Sequence, residues 1–313
     1  MSKKLLAVLC NDIHLSHNPP ASRDVDRKGW YDLQKKALRA LGALAAGPDA
    51  DKNTPIICAG DVFDKWNSPP ELIEFALRHL PQNFYSIPGQ HDLPNHAYDQ
   101  RHRSAYGVCV QARAIIELYP HTIHHFPNKL NVTPFPWGVD VVPCQNYSSE
   151  PTVDLAVIHH FIWEGKSTGY PGAPKTSKVP GFVDRLKGYD VAHFGDNHKH
   201  FTAMAGDCKV WNGGGFMVRK RDERREGMIP VVAKLYRDGD KVALEPVYLE
   251  DNGEWLSTDP VKKSMALDMA DFVQEVQGLA DSGVDYHEAV KRYTNDNVIS
   301  PKAAKLLKEA FDD

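Results

Sequence analysis

The stretch Leu5-Leu6-Ala7-Val8-Leu9-Cys10-Asn11-Asp12-Ile13-His14 decides the fold. Six apolar residues run without a helical period and stop at Asn11 and Asp12, the mark of a buried strand that opens into a polar turn. The basic start before this run also suits a secretion signal. Six residues are too few for its apolar core, and no small-residue cleavage site follows. Outward from this strand, residues 30–46 carry a helical pattern closed by Gly47-Pro48. A second strand is expected at 56–59, a second helix at 71–80 entered through Ser68-Pro69-Pro70, and a third strand at 84–87. Strand and helix in alternation imply a parallel sheet covered by helices.

Beyond residue 114 the apolar runs shorten and turns punctuate them. Strands are expected at 115–116, 122–124, 139–142, 153–158, 191–194, 209–211, 229–236 and 242–248, enough for a second sheet. The fold class read from this order is α/β: two packed mixed sheets flanked by helices, over residues 1–250. Residues 251–313 read as a small helical appendage. Met265, Met269, Phe272, Val273, Val276 and Leu279 form one helical stripe, Asp285 to Glu288 a capping box, and Ser300-Pro301 a third helix start. Two segments stand apart. Residues 161–181 carry three prolines and four glycines in a long irregular stretch. Residues 219–226 are densely charged with mixed sign, and read as a solvated turn.

Composition narrows the function classes. The 313 residues are 42% hydrophobic and 25% charged with a net charge of −4, so no global basic field draws the chain to a polyanion. A phosphate-rich partner must be met by a local patch or by metal. The five cysteines form no close pairs, which argues against a disulfide framework and a thiolate zinc site and points to the cytoplasm. No run of roughly 18 apolar residues occurs, so no membrane partner or span is expected.

Five motifs fall where strands end: Asp12-Ile13-His14, Gly60-Asp61-Val62-Phe63-Asp64, Gly89-Gln90-His91-Asp92, His159-His160 and Gly195-Asp196-Asn197-His198. Ligands of open α/β sheets bind at the carboxyl ends of strands, so these turns can converge. They offer carboxylate, amide and imidazole donors and no thiolate. Each alone is ordinary loop chemistry; the ordered set is not.

This set resembles the calcineurin-like metallophosphoesterases, whose pattern is D-x-H, G-D-x-x-D, G-N-H-D/E, H and G-H-x-H, and within them it looks most like the SbcD-type nuclease subunits of bacteria and phages. The narrower likeness rests on residues 93–107, with Arg101, Arg103, Ser104 and Ala105, and on the tail. The resemblance implies that Asp12, His14 and His198 hold one metal, that Gln90, His159 and Asp196 hold another, and that Asp61 bridges both. It gives His91 a general-acid role at the leaving oxygen, with Asp92 orienting it and Asp64 bonded to a ligand or to the catalytic histidine. For Asp64 and Asp92, stabilisation of their own turns is the plain alternative.

Two departures fall on the second metal. Gln90 stands for the usual Asn, and Asp196 for the usual first His of the last motif. An alternative register takes His198 and His200 as the pair; Asp196 and His198 keep the spacing from Gly195. With Asp12, Asp61, Asp196 and one hydroxide, two divalent ions sum to neutrality, where a histidine at 196 leaves one positive charge. Oxygen donors suit harder ions, so Mn²⁺ or Mg²⁺ is expected over zinc.

The expected function is a two-metal phosphodiesterase acting as a DNA nuclease, exo- or endonucleolytic, in DNA repair. Lys166, Lys175, Lys178, Arg101 and Arg103 are candidate backbone contacts. An SbcC-like ATPase docking on the helical tail is the implied partner, and a homodimer stays open. The alternatives are a phosphatase or phosphodiesterase for a nucleotide, another small molecule or a phosphoprotein, and a metal-poor scaffold.

Overall fold

A computed structural model describes residues 3–145, 151–170, 172–239 and 241–250. The chain divides into two compact units, Met1–Thr168 with Lys178–Leu256, and Gly169–Ser177 with Ser257–Asp313. In the second unit, the Ala173 N–H closes a turn on the Tyr170 carbonyl and Lys175–Ser177 forms a single 3-10 turn. The helical appendage expected over 251–313 lies outside the described residues.

The first unit is built on two six-stranded mixed sheets. In the first sheet β1 (Lys4–Cys10), β2 (Ile56–Cys58), β3 (Phe84–Ser86) and β4 (Ile116–Glu117) run parallel, and β11 (Val231–Asp238) and β12 (Lys241–Tyr248) extend it antiparallel beyond β1. In the second, β6 (Leu130–Phe135), β7 (Val153–His159), β8 (Val191–Gly195) and β10 (Cys208–Asn212) run parallel between antiparallel edges β5 (His124–Phe126) and β9 (Phe201–Ala205).

The six-residue apolar run of β1 is explained by burial on both faces. Leu6 and Leu9 join Ile57, Leu155, Val157 and Trp211 in the layer between the sheets, while Val8 and Cys10 face the helices. Helix α1 (Arg27–Ala45) buries Trp30, Gln34, Leu38 and Leu41, spaced along one face. It has no acidic first turn or basic last turn, so its dipole adds little. Its buried apolar side chains, at about 1.5–3 kcal/mol each, decide its place. Helix α2 (Pro70–His79) opens on Pro70 at its first turn and buries Leu72, Phe75 and Ala76 against the same layer; α3 (Ala105–Gln111) adds Tyr106 and Cys109. On the far side of the second sheet, Phe182, Leu186 and Tyr189 cover Ile158, Ala192 and Phe194.

Several expected boundaries move. Helix α1 starts before residue 30 because the Asp26 carboxylate accepts the Gly29 N–H at 2.7 Å and caps it. Residues 139–142 are not a strand: apolar Val139 and Val141 pack into the outer core from an irregular segment. Two strands were hidden. Pro134 disguises β6, but β5 pairs only as far as Val132, so no ladder bond on that side is lost at the proline. Strand β9 returns to β10 through Gly206-Asp207, with Gly206 at a φ of 63°, a two-residue hairpin signal.

Candidate metal centre

Every motif turn leaves the carboxyl end of a strand, after β1, β2, β3, β7 and β8. The turns are held tightly. Trp30 Nε1 and Gln34 Nε2 of α1 donate to the Ser16 carbonyl, and Gln34 Oε1 accepts the Ser16 N–H, which pins the turn after β1. Asp12 (φ 49°), His14 (49°), Asp61 (52°) and Asp196 (90°) all take left-handed backbone, as does Gly60 (94°). At the four non-glycine positions such backbone costs of order 1–3 kcal/mol per residue, persists where the surroundings over-determine it and clusters at functional sites. At Gly89 a side chain would run into the Asp61 carboxylate, so only glycine lets the third turn close on the second.

The first group is Asp12, His14 and His198, whose ligand atoms lie within 4.8 Å of one another. His14 Nε2 and His198 Nε2 face each other at 3.0 Å. Asp12 accepts from Asn11 Nδ2 at 2.6 Å and from the Asp196 N–H at 3.0 Å. Burial, against the pull of His198, lifts its carboxyl to about 6. Burial holds His14 neutral, well below the usual histidine range. His14 Nδ1 is buried with no hydrogen-bond partner.

The second group is Asp12, Asp61 and His159. Asp61 Oδ2 lies 3.6 Å from His14 Nε2 and 3.5 Å from His159 Nε2, midway between the two expected ligand sets. Burial pushes Asp61 up, but the imidazoles of His159 and His91 outweigh it and hold the carboxylate low. His159 Nδ1 donates to the Ala59 carbonyl at 2.6 Å, and Nε2 meets Gln90 Oε1 at 2.6 Å. Burial works against its charge, yet Asp61 raises it to about 10, so a proton and a metal compete for this nitrogen. Gln90 Nε2 donates to Asp196 Oδ1 at 2.8 Å, so the two residues that depart from the family pattern are bonded to each other.

The remaining candidates divide. His91 takes its backbone N–H to Asp61 Oδ1 at 3.0 Å and donates Nδ1 to the Asp64 carbonyl at 2.9 Å; it stands exposed at the rim. Asp92 makes no hydrogen bond to the His91 ring. Its fully buried carboxylate accepts the N–H groups of Val62, Phe63 and Gly89, tying the second turn to the third; burial and the Asp61 charge raise it to about 7. Asp64 accepts from Arg219 Nη1 at 2.7 Å and lies 3.6 Å from His14 Nδ1. Against the upward push of burial, that guanidinium keeps its carboxyl well below the ordinary range. His160 packs its ring on Phe182. His200 donates to the Asn212 carbonyl at 2.8 Å and its ring lies tilted against Trp211, so it is His198 that meets Asp12 and His14.

Sequence reasoning missed three residues. Asn11 Nδ2 bridges Asp12 and the Gly214 carbonyl. Glu223, on the short helix α4 (Arg221–Arg225), accepts from His198 Nδ1 at 3.2 Å, and Arg219 holds Asp64. Burial raises the Glu223 carboxyl, but His198 outweighs this and holds it at about 2. Residues 219–223 are therefore part of the site rather than a solvated turn. The one available signal was their position after the glycine run Gly213-Gly214-Gly215.

A cleft of about 660 Å³ opens over the buried groups. Asp61, Gln90, His91, Asp196 and His198 line it together with Lys199, Lys220, Met228, Ile229 and Tyr248. Asp12, His14 and His159 lie beneath, each at most 3% exposed. The donors suit divalent cations: two carboxylates, buried imidazole nitrogens set face to face, and an orphaned His14 nitrogen, with every cysteine elsewhere.

The sequence profile of the calcineurin-like phosphoesterases matches residues 6–257, and the chain belongs to that family. It is a metal-dependent phosphoesterase, of a family that typically binds two divalent metals. No curated protein sequence matches it significantly. Among solved structures it is similar to a protein of Thermus thermophilus (13% identity, 76% of this chain and 97% of that one, TM-score 0.43). It is similar also to a phosphopantetheinyl hydrolase of Mycobacterium tuberculosis (10%, 77% and 95%, TM-score 0.42) and to an archaeal phosphodiesterase (13%, 79% and 100%, TM-score 0.36). Among the described residues, no helix is long and apolar enough to cross a membrane.

Proposed function

We propose that this phosphoesterase is a DNA nuclease of the SbcD type, working with Mn²⁺ or Mg²⁺ in the cytoplasm. Asp12, His14 and His198 would hold one ion, Gln90, His159 and Asp196 the other, with Asp61 between them. The observation that carries the reading is the cleft: besides the metal groups it is lined by Lys199 and Lys220, cations that suit a phosphate flanking the scissile one, and its volume of about 660 Å³ exceeds what a single phosphate needs. The ions, when bound, supply Lewis acidity at the phosphoryl group and an acidified water.

The protein's own groups do the rest. His91 Nδ1 is committed to the Asp64 carbonyl, which fixes the ring and leaves Nε2 to give a proton to the leaving oxygen. Asp61 holds the His91 backbone, and Asp92 locks the two turns that carry these residues. Lys220 stands exposed on the cleft wall, where it would meet a flanking phosphate. Arg101 is engaged elsewhere: it pairs with the buried Glu117 at 2.7 Å and lies over the Tyr98 ring. An SbcC-like ATPase on the 251–313 segment, and a homodimer, complete the proposal.

The test is a nuclease assay on linear and circular DNA with added Mn²⁺, beside His91→Ala and Asp61→Ala, with nucleotide monoesters and cyclic nucleotides in parallel. Metal-dependent cleavage of DNA, lost in both variants, supports the reading. Turnover of the small esters with no cleavage of any DNA transfers the assignment to a small substrate.

A further inference from the structure

The charged segment after β10 grips the first ligand set from outside. Glu223 divides its carboxylate. Oε1 accepts from His198 Nδ1 at 3.2 Å, and Oε2 accepts the N–H groups of Arg219 and Lys220 at 2.7 and 2.8 Å. The second oxygen thereby closes the first turn of α4 in the manner of a capping box. Arg219 Nη1 donates to Asp64 Oδ1 at 2.7 Å, and that same oxygen lies 3.6 Å from His14 Nδ1. Both histidines of the first set thus have, beside the nitrogen turned away from Asp12, a carboxylate held by residues 219–223.

The second set is anchored by other means. His159 Nδ1 is fixed by the backbone carbonyl of Ala59, wholly buried just past β2, and Gln90 and Asp196 are bonded to each other. None of these partners comes from residues 219–223.

We propose that Arg219 and Glu223 are positioning residues that set the affinity of the Asp12–His14–His198 site for its divalent ion and leave the Gln90–His159–Asp196 site untouched. This rests on the ligand sets proposed above. At His198 the Glu223 carboxylate accepts the far N–H, which fixes the tautomer, aims the other nitrogen's lone pair at the ion and raises its basicity. At His14 the Asp64 carboxylate, 3.6 Å from Nδ1 and held by Arg219, acts as a nearby negative charge without a hydrogen bond. Loss of such a partner typically costs 10–100-fold in metal affinity. The two ions therefore load with separately adjustable strength, although they share Asp61.

Mn²⁺ titration of the chelated full-length protein, followed by calorimetry and by electron paramagnetic resonance, tests this. Neighbouring Mn²⁺ ions couple and broaden each other's spectrum, whereas a lone ion keeps a resolved six-line signal. In Glu223→Gln and Arg219→Gln one binding step should weaken about 10–100-fold, with the other at the wild-type value and a six-line signal persisting at two equivalents. Arg219→Lys keeps a cation beside Asp64 and should recover affinity over Arg219→Gln. If Glu223→Gln does not refold, the Arg219 pair carries the test alone. Both steps weakening together, or neither, overturns the proposal. A wild type that binds two ions and cleaves no DNA sinks the nuclease reading alone; one that binds fewer than two overturns both.

Discussion

His14 and His198 face each other Nε2 to Nε2 across 3.0 Å, with His198 Nδ1 already committed to Glu223 and His14 Nδ1 buried without a partner. Two imidazoles so placed share one proton at most, and a nitrogen is left unsatisfied in the interior, at about 1–3 kcal/mol for a buried group. A cation between the two Nε2 atoms and Asp12 takes up both facing lone pairs and leaves the His14 proton on Nδ1, 3.6 Å from the Asp64 carboxylate.

Metal removal should therefore destabilise the fold. At a free Mn²⁺ concentration one hundred times its dissociation constant, binding adds about 2.7 kcal/mol per ion. Differential scanning calorimetry with Mn²⁺ and with chelator should show a clear fall in Tm on chelation. Identical midpoints would mean that the cluster does not bind the ion.

His91 tests the proton-donor role separately from metal binding. His91→Ala should lower kcat by about 10²–10⁴-fold and leave bound metal, counted by plasma mass spectrometry, unchanged. The defect should shrink on a p-nitrophenyl diester, whose leaving group needs no proton. An equal loss on both substrates would assign His91 to something other than leaving-group protonation.

Asp196→His puts imidazole back beside Gln90. The neutral donor should move the order of activation by Mn²⁺, Mg²⁺ and Zn²⁺ toward zinc, because nitrogen suits the softer ion. An unchanged order would show that Asp196 does not set the preference.

Gly89→Ala drives a methyl group into the Asp61 carboxylate and backbone. Overpacking of this kind typically costs about 1–3 kcal/mol, and here it also displaces the expected bridging ligand. Urea midpoints and metal affinity should fall together; a variant with wild-type affinity would show that the turns have slack.

His193 gives the fold a pH dependence away from the ligands. It links the sheets by donating Nε2 to the Cys10 carbonyl at 2.8 Å, and burial lowers it from 6.5 to about 4. Between those values the unfolded chain takes up the proton and the folded one does not. Stability from this group is complete above pH 6.5 and is lost as pH falls toward 4, by roughly 3 kcal/mol at 1.36 kcal/mol per unit. His193→Gln keeps a donor to Cys10, and its urea midpoints should vary less between pH 7 and 4.5 than those of wild type. Parallel profiles would remove His193 from the account.

What the sequence made legible was whatever local pattern decides. The uninterrupted run of β1, the helical spacing of Trp30 to Leu41 and the five motif turns could be read without coordinates. The hidden parts depend on long-range partners. Pro134 looks like a strand breaker until the pairing with β5 is known to stop at Val132. Asp92 looks catalytic until its carboxylate is seen to accept three backbone N–H groups. Glu223 and Arg219 sit in a mixed-charge run that resembles any solvated turn, and only the fold brings them to His198 and Asp64.

The left-handed backbone at Asp12, Asp61 and Asp196 restricts how this enzyme can be silenced. Asparagine shares aspartate's tolerance for that conformation and matches its shape, whereas bulky or β-branched residues do not. Asparagine at these positions should preserve the architecture while stripping away the charge that retains the ions. Such variants are the natural inert decoys for trapping unhydrolysed substrate, and a descendant that gave up hydrolysis without unfolding would carry the same signature.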